Sequence, residues 1–242
     1  MEMIHDRRIK KTFFLRRAVR LEYFTVGYNI IEAGVAVGAG IAAGSIALIG
    51  FGLDSIIEVT AAGALLWRLK KELRTDESFS KDEHSAAERK ALLVVGFTFF
   101  ALAVYILSEA IYNLASGRQA QVSILGIVVA ILSLLIMPTL AFFKQRTARA
   151  LGSKALASDA METWICSYLS LVLLVGLALN ALFGWSWADP VAALAMLPLV
   201  IKEGFEAIEE AREDEEDEPQ PRLGAANPSA GHDTGPHSRY RP

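Results

Sequence analysis

Two pairs of polar residues with metal-binding chemistry interrupt otherwise apolar stretches of the sequence. Asp54 and Glu58 form the first pair, and Glu162 and Cys166, the only cysteine of the chain, form the second. Because the members of each pair are four residues apart, their side chains share one face wherever the stretch is helical. A carboxylate at membrane depth costs about 2.5–3.5 kcal/mol, and such residues usually face the protein interior and carry function. The pattern predicts one site for a polyvalent cation, shared by two helices.

A structural role is the alternative for these residues. An acid at membrane depth can pair with a base or hydrogen-bond across helices, and a lone cysteine often fills space as a small apolar side chain. Two carboxylates four residues apart repel each other, however, unless one is protonated or both share a cation. We therefore expect Asp54, Glu58, Glu162 and Cys166 to be metal ligands.

Other polar residues lie in the same apolar stretches. Asp159 shares the face of the second pair, but it lies nearer the start of its stretch. We expect it to begin the helix, with Ser158 as the alternative cap, or to support a ligand by a hydrogen bond. Asn29 is expected to hydrogen-bond between helices or to a ligand. Spacing assigns no role to Glu32 and Glu109.

The elements that must position these residues are helices that cross a membrane. Apolar residues make up 53% of the 242-residue chain, and the mean hydropathy is +0.35. Six apolar runs are each near the roughly 20 residues that span a bilayer. They cover residues 23–43, 45–66, 91–114, 122–143, 156–183 and 190–205. The sequence predicts an all-α polytopic membrane protein with six transmembrane helices.

The distribution of charge predicts the orientation and the domains. Bases are concentrated in residues 1–20 and in the connections 68–90 and 144–154, whereas the opposite connections hold only Arg118. This asymmetry predicts that both termini are cytoplasmic. Three domains follow: a basic cytoplasmic segment, a six-helix transmembrane domain, and an acidic, disordered cytoplasmic tail. They comprise residues 1–20, 21–205 and 206–242.

The residue inventory argues against several function classes. A single cysteine allows no internal disulfide. The spans contain no histidine and no Ser/His/Asp grouping, and no glycine-rich phosphate loop is evident, so an enzyme and a bound cofactor are not predicted. The basic residues lie beside the spans, as expected for a membrane protein, and indicate no nucleic-acid partner.

Five sequence stretches occur in an order that is typical of one family. They are Gly44-Ser-Ile-Ala-Leu48, Asp54-Ser-Ile-Ile-Glu58, Tyr105-Ile-Leu-Ser-Glu109-Ala-Ile111, Ser158-Asp-Ala-Met-Glu162-Thr-Trp-Ile-Cys166 and Ala188-Asp-Pro-Val-Ala-Ala193. Over residues 17–211 the chain resembles the cation diffusion facilitators, which export divalent metal ions in exchange for protons. Asn29 also occupies a position where the first helix of that family often has Asn.

The match is not complete at the expected site. The family's usual ligands are Asp or His and Asp on helix two, and His or Asp and Asp on helix five. Here Asp54, Glu58, Glu162 and Cys166 occupy the matching positions, so one acid is longer and a thiol replaces a carboxylate. We expect the family's cytoplasmic metal-binding domain after helix six to be missing.

These observations predict a divalent metal cation transporter of the plasma (inner) membrane. Thiolate and carboxylates suit Zn²⁺, or Cd²⁺ or Fe²⁺, better than Mg²⁺ or Ca²⁺. Exchange for protons is predicted because metal ligands must be deprotonated. The alternative is a non-transporting metal sensor or partner subunit with the same fold. The resemblance further implies a homodimer in the lipid bilayer.

Overall fold

The computed structural model describes residues 2–74, 81–117 and 120–216, and these form six α-helices without any strand. The helices are α1 (Glu2–Ala43), α2 (Ile46–Arg74), α3 (Lys81–Ser116), α4 (Ile124–Leu151), α5 (Lys154–Phe183) and α6 (Ala188–Glu216). The predicted all-α architecture is confirmed.

Five of the helices, α1 to α5, are long and apolar enough to cross a membrane. Within the described residues, α6 falls short because Asp189, Lys202 and Glu203 interrupt its apolar run. It packs mainly against α3, while α1 packs on α2 and α4 on α5. The chain is therefore a polytopic membrane protein.

The helices extend beyond the apolar runs at both ends of the chain. Residues 2–20 of the predicted basic segment are continuous with the first span, because α1 begins at Glu2. At the other end α6 continues to Glu216, so the prediction of disorder is wrong for residues 206–216. This stretch consists mostly of Glu, Ala and Arg, which favour helix, and contains no Pro or Gly. The remaining part of the predicted tail, residues 217–242, lies outside the described residues.

The start of α5 also differs from the prediction. The helix begins at Lys154, and the hydroxyl of Ser153 caps it by accepting a hydrogen bond from the Leu156 backbone N–H at 3.3 Å. Ser158 and Asp159 therefore lie inside the helix and do not begin it. The earlier start is favoured by the Ser153 cap, which follows the left-handed Gly152 at the end of α4.

Small residues allow α1 and α2 to lie close together. A Cβ added at Gly40 would lie 2.9 Å from the Ile49 backbone nitrogen, and one at Gly52 would lie 2.9 Å from the Val37 backbone nitrogen. Either would force the helices apart. This contact lets a side chain on α1 reach the acids of α2.

The beginnings of α2 and α6 are joined by buried hydrogen bonds. The Ser45 hydroxyl donates to Asp189 Oδ1, and the Ile46 backbone N–H donates to Asp189 Oδ2 at 2.8 Å. An acid at this position satisfies backbone donors that the first turn of α2 leaves without partners. The two resemblance motifs that start at Gly44 and Ala188 thus meet at one end of the bundle.

Candidate metal site

Two helices bring three potential metal ligands together in the interior. Asp54 and Glu58 on α2 and Cys166 on α5 each offer one ligand atom, and these atoms all lie within 4.8 Å of one another. Asp54 is 5% exposed and Cys166 is 1% exposed, whereas Glu58 is half-buried. A single ion between the helices could therefore contact two carboxylates and one sulfur.

A small cavity of about 10 Å³ borders these three residues. This volume accommodates about one water-sized sphere, and therefore a bare ion rather than a fully hydrated one. Its remaining lining is apolar apart from two further acids, Glu162 on α5 and Glu203 on α6. The apolar lining consists of Ile57, Ala61, Val95, Phe99 and Ile165.

Asn29 on α1 contacts the site directly through Glu58. Its side-chain nitrogen Nδ2 donates a hydrogen bond to Glu58 Oε2 at 2.6 Å. Such outer hydrogen bonds orient metal ligands. The interaction joins two helices and involves one of the two carboxylate oxygens of Glu58.

Glu162 lies beside these three residues, outside the group whose potential ligand atoms lie within 4.8 Å of one another. It lines the small cavity together with Cys166, and it also lines a large cleft of about 870 Å³. Ile165 and Glu203 are likewise shared by both spaces. The cleft lies at the end of the bundle that the charge pattern predicts to be cytoplasmic, and Lys11, Arg68 and Lys154 are among its lining residues. Glu162 therefore stands at the junction of the cleft and the site.

Asp159 is placed away from the three ligands and belongs to a buried ion-pair network. Its Oδ2 lies 2.6 Å from Nζ of Lys144, which also lies 3.1 Å from Glu22 Oε2. Lys144 and Glu22 are fully buried. The expectation that Asp159 supports a metal ligand is therefore replaced by an electrostatic link between α1, α4 and α5.

Two other acids noted in the sequence have different surroundings. Glu32 on α1 is 3% exposed and accepts a hydrogen bond from the Ser55 hydroxyl at 3.0 Å. Its other oxygen has no hydrogen-bond partner among the described residues. Glu109 on α3 is half-buried and does not belong to the cluster of potential ligands.

Glu203 is the site residue that the sequence interpretation missed. It is 7% exposed and lines the same cavity as Asp54 and Cys166. The sequence signal was present, because Glu203 lies within the sixth apolar run. The sequence interpretation included Glu203 in that run without assigning it a role.

The donor set favours a divalent metal ion of intermediate softness. A thiolate with carboxylates suits Zn²⁺ and similar transition metals, whereas Mg²⁺ and Ca²⁺ prefer shells made of oxygen only. When ionised, the three ligands repel one another strongly in surroundings with little water. Either a cation or protons can remove that repulsion, and metal and protons therefore compete for the same atoms.

Comparison with known protein families finds a match over the greater part of the chain. The model of the cation efflux transmembrane domain matches residues 24–214. This range includes α2 to α5 in full, parts of α1 and α6, and each of the residues that line the small cavity.

Individual relatives are 25–28% identical to this chain and are longer than it. An uncharacterized transporter of Synechocystis sp. is 28% identical over 172 residues, which cover 71% of this chain and 56% of that protein. An uncharacterized transporter of Methanocaldococcus jannaschii is 25% identical over 178 residues, covering 74% and 62%. Transmembrane protein 163 of Xenopus laevis is 25% identical over 153 residues, covering 63% and 52%. The chain thus spans little more than half the length of the relatives it matches.

Proposed function

The chain belongs to the cation efflux family, whose members are transporters rather than enzymes, and on this premise we propose that it exchanges a divalent metal ion for protons across a membrane. The observation that carries the proposal is the approach of Asp54, Glu58 and Cys166 to within 4.8 Å of one another. Ionisable side chains at membrane depth are costly and usually mark function, and here two on α2 converge with one on α5.

Zn²⁺ is the substrate that the donor set favours, with Cd²⁺ and Fe²⁺ as chemical alternatives. Zinc sites in proteins are usually tetrahedral. Three ligands come from Asp54, Glu58 and Cys166, and Glu162 at the edge of the cavity is the proposed fourth. Binding of the ion displaces protons from these groups, which couples metal movement to proton movement in the opposite direction.

The two ends of the bundle give different access to the site. The 870 Å³ cleft approaches it from the predicted cytoplasmic end. Towards the other end, Leu48 and Phe51 on α2 are fully buried. We therefore assign the structure to the state that loads metal from the cytoplasmic side, and transport requires a second state that opens at the opposite end.

The proposed setting is the plasma (inner) membrane, and the proposed partner in the bilayer is a second copy of the chain. Cross-linking in native membranes followed by electrophoresis tests this assembly. A covalent dimer supports the proposal, and exclusively monomeric protein at several expression levels contradicts it.

Metal flux into proteoliposomes tests the function. Purified protein is reconstituted, a pH gradient is imposed, and Zn²⁺ entry is followed with an internal fluorescent indicator. We expect flux from the unaltered protein, and background flux from Asp54→Asn and Cys166→Ser. Thr60→Val is the matched control, because Thr60 is exposed on α2 and its hydroxyl bonds within the helix.

Two results contradict the proposal. Wild-type flux in both site variants would show that the ion takes another route. Zinc binding without any flux in the unaltered protein would favour a sensor or partner subunit instead.

A further inference from the structure

Glu203 is a buried acid with one carboxylate oxygen that lacks a hydrogen-bond partner in the described part of the chain. Its side chain is 7% exposed, and Oε1 has no hydrogen-bond partner among the described residues. Buried polar atoms are nearly always paired, and an unpaired one indicates strain, function or an absent ion. Because Glu203 borders the small cavity, this unpaired oxygen lies at the edge of the metal site.

Close packing between α3 and α6 positions this side chain. A Cβ added at Gly96 would lie 3.0 Å from the Gly204 carbonyl oxygen, and one at Gly204 would lie 3.2 Å from the Phe99 Cβ. Glycine at these two positions brings the helices into contact directly beside Glu203. The neighbouring acid is thereby held at the cavity that α2 and α5 also line.

Two other acids that line the cleft, Glu72 and Glu206, have different surroundings. Glu72 pairs with Lys11 at 2.8 Å, and Glu206 pairs with Lys202 at 2.5 Å. Both pairs are largely exposed to solvent. Glu203 lies deeper, and only Glu162, Ile165 and Glu203 line both the cleft and the site cavity in the part of the chain that the structure describes.

We propose that Glu203 and Glu162 form a transfer site, made of carboxylate oxygens, that takes a divalent cation from the cleft and passes it to Asp54, Glu58 and Cys166. Glu162 lines both spaces, so it contacts the ion during transfer and stays on it as the fourth ligand. This inference rests on the proposed function. A cation at the junction replaces part of its water shell with carboxylate oxygens before it meets the sulfur. Low-dielectric walls focus the field of charged groups and raise the rate of ion entry by about 10–10³-fold. This focusing acts most strongly on a charge at the narrow, buried junction and least on one in the exposed part of the cleft. Glu203 thus controls how fast the buried site fills, whereas Cys166 and its neighbours determine how tightly it holds the ion.

The rate of Co²⁺ binding tests this division of roles. Co²⁺ bound to a thiolate absorbs in the near ultraviolet, so rapid mixing of the full-length chain with Co²⁺ reports filling at Cys166 alone. We expect Glu203→Gln to slow binding about tenfold, with the final absorbance unchanged. Glu203→Asp is expected to restore most of the rate.

Glu209→Gln is the matched control. Glu209 is exposed and lines the same cleft. Its substitution therefore changes the net charge of the cleft by the same amount as Glu203→Gln, but it leaves the junction between cleft and cavity unaltered. We expect its binding rate to remain close to that of the unaltered protein. An equal slowing in both variants would show a general effect of charge and overturn the transfer site.

The outcomes separate this inference from the proposed function. If Glu203→Gln fills at the unaltered rate with full absorbance, the transfer site is wrong and the metal site stands. If Glu203→Gln loses the final absorbance, Glu203 is a ligand or a structural residue, and the transfer role is also wrong. Absence of the thiolate band in the unaltered protein would overturn the metal site itself.

Discussion

Asn29 on α1 holds Glu58 on α2 by a 2.6 Å hydrogen bond, and Glu58 is one of the three residues that converge on the proposed ion. The amide therefore fixes a ligand although it does not belong to the ligand cluster. We predict that Asn29→Leu weakens Zn²⁺ binding by about 10–100-fold, because the carboxylate loses its orientation. Competition titration with a zinc chelator measures the change.

Asn180→Leu is the control for the loss of an amide on a helix. Asn180 donates to the Ala120 carbonyl oxygen at 2.9 Å, and it lies about 21 Å along α5 from Cys166. Its substitution should leave the affinity for Zn²⁺ within a factor of two. If Asn29→Leu binds Zn²⁺ as tightly as the unaltered protein does, the hydrogen bond has no part in the site.

Lys144 is predicted to stabilise the bundle through its two buried acids. Lys144→Met leaves Glu22 and Asp159 without their base in the interior, which costs about 3–5 kcal/mol. Unfolding in mixed micelles measures the loss. Addition of Glu22→Gln and Asp159→Asn to this variant should recover most of the stability, because no uncompensated charge then remains.

The exposed base Arg149 on the same helix provides the comparison for Lys144. Arg149→Met should change the free energy of unfolding by no more than about 0.5 kcal/mol. A similarly small effect of Lys144→Met would refute the role of the buried network.

Asp189 is predicted to fasten α6 to α2. Asp189→Ala removes the acceptor of the buried Ile46 N–H and of the Ser45 hydroxyl, at a cost of about 1–3 kcal/mol. Asp189→Asn keeps one acceptor oxygen and should lose less. The free energy of unfolding measures both, with Ser186→Ala as a control, and an equal stability of all variants would contradict the prediction.

Metal binding is predicted to release protons. Ligands must be deprotonated to bind Zn²⁺, so the affinity should fall as the pH falls, and a weakly buffered solution should acidify when Zn²⁺ is added. Cys166→Ala should release fewer protons, because one competing group is gone. An affinity that does not depend on pH would contradict competition between metal and protons.

The sequence predicted the helices and singled out Asp54, Glu58 and Cys166 as candidate ligands, because both inferences depend on periodic patterns. The four-residue spacing of Asp54 and Glu58 placed them on one face, and the structure brings Cys166 to that face. Asp159 shows the limit of such reasoning. It shares a face with Cys166, but seven residues of helix separate them by about 10 Å, and Asp159 instead meets Lys144.

A pattern along the chain does not show which helices pack together when they are far apart in sequence. Lys144 directly follows an apolar run and looked like a base in a connection, yet α4 continues to Leu151 and buries it. Glu203 lies near the end of the sixth apolar run and had no assigned role, yet the Gly96–Gly204 contact holds it at the site cavity. In both cases the partner helix decides the role, and one-dimensional periodicity does not identify that partner.

The sulfur–metal bond is the most direct test of the central claim that α2 and α5 enclose one metal ion. X-ray absorption at the zinc edge of the purified, zinc-loaded protein measures the ligands of the ion. We predict one sulfur at about 2.3 Å together with oxygens at about 2.0–2.2 Å, and an oxygen-only shell in Cys166→Ser. A zinc shell without sulfur in the unaltered protein would contradict the account.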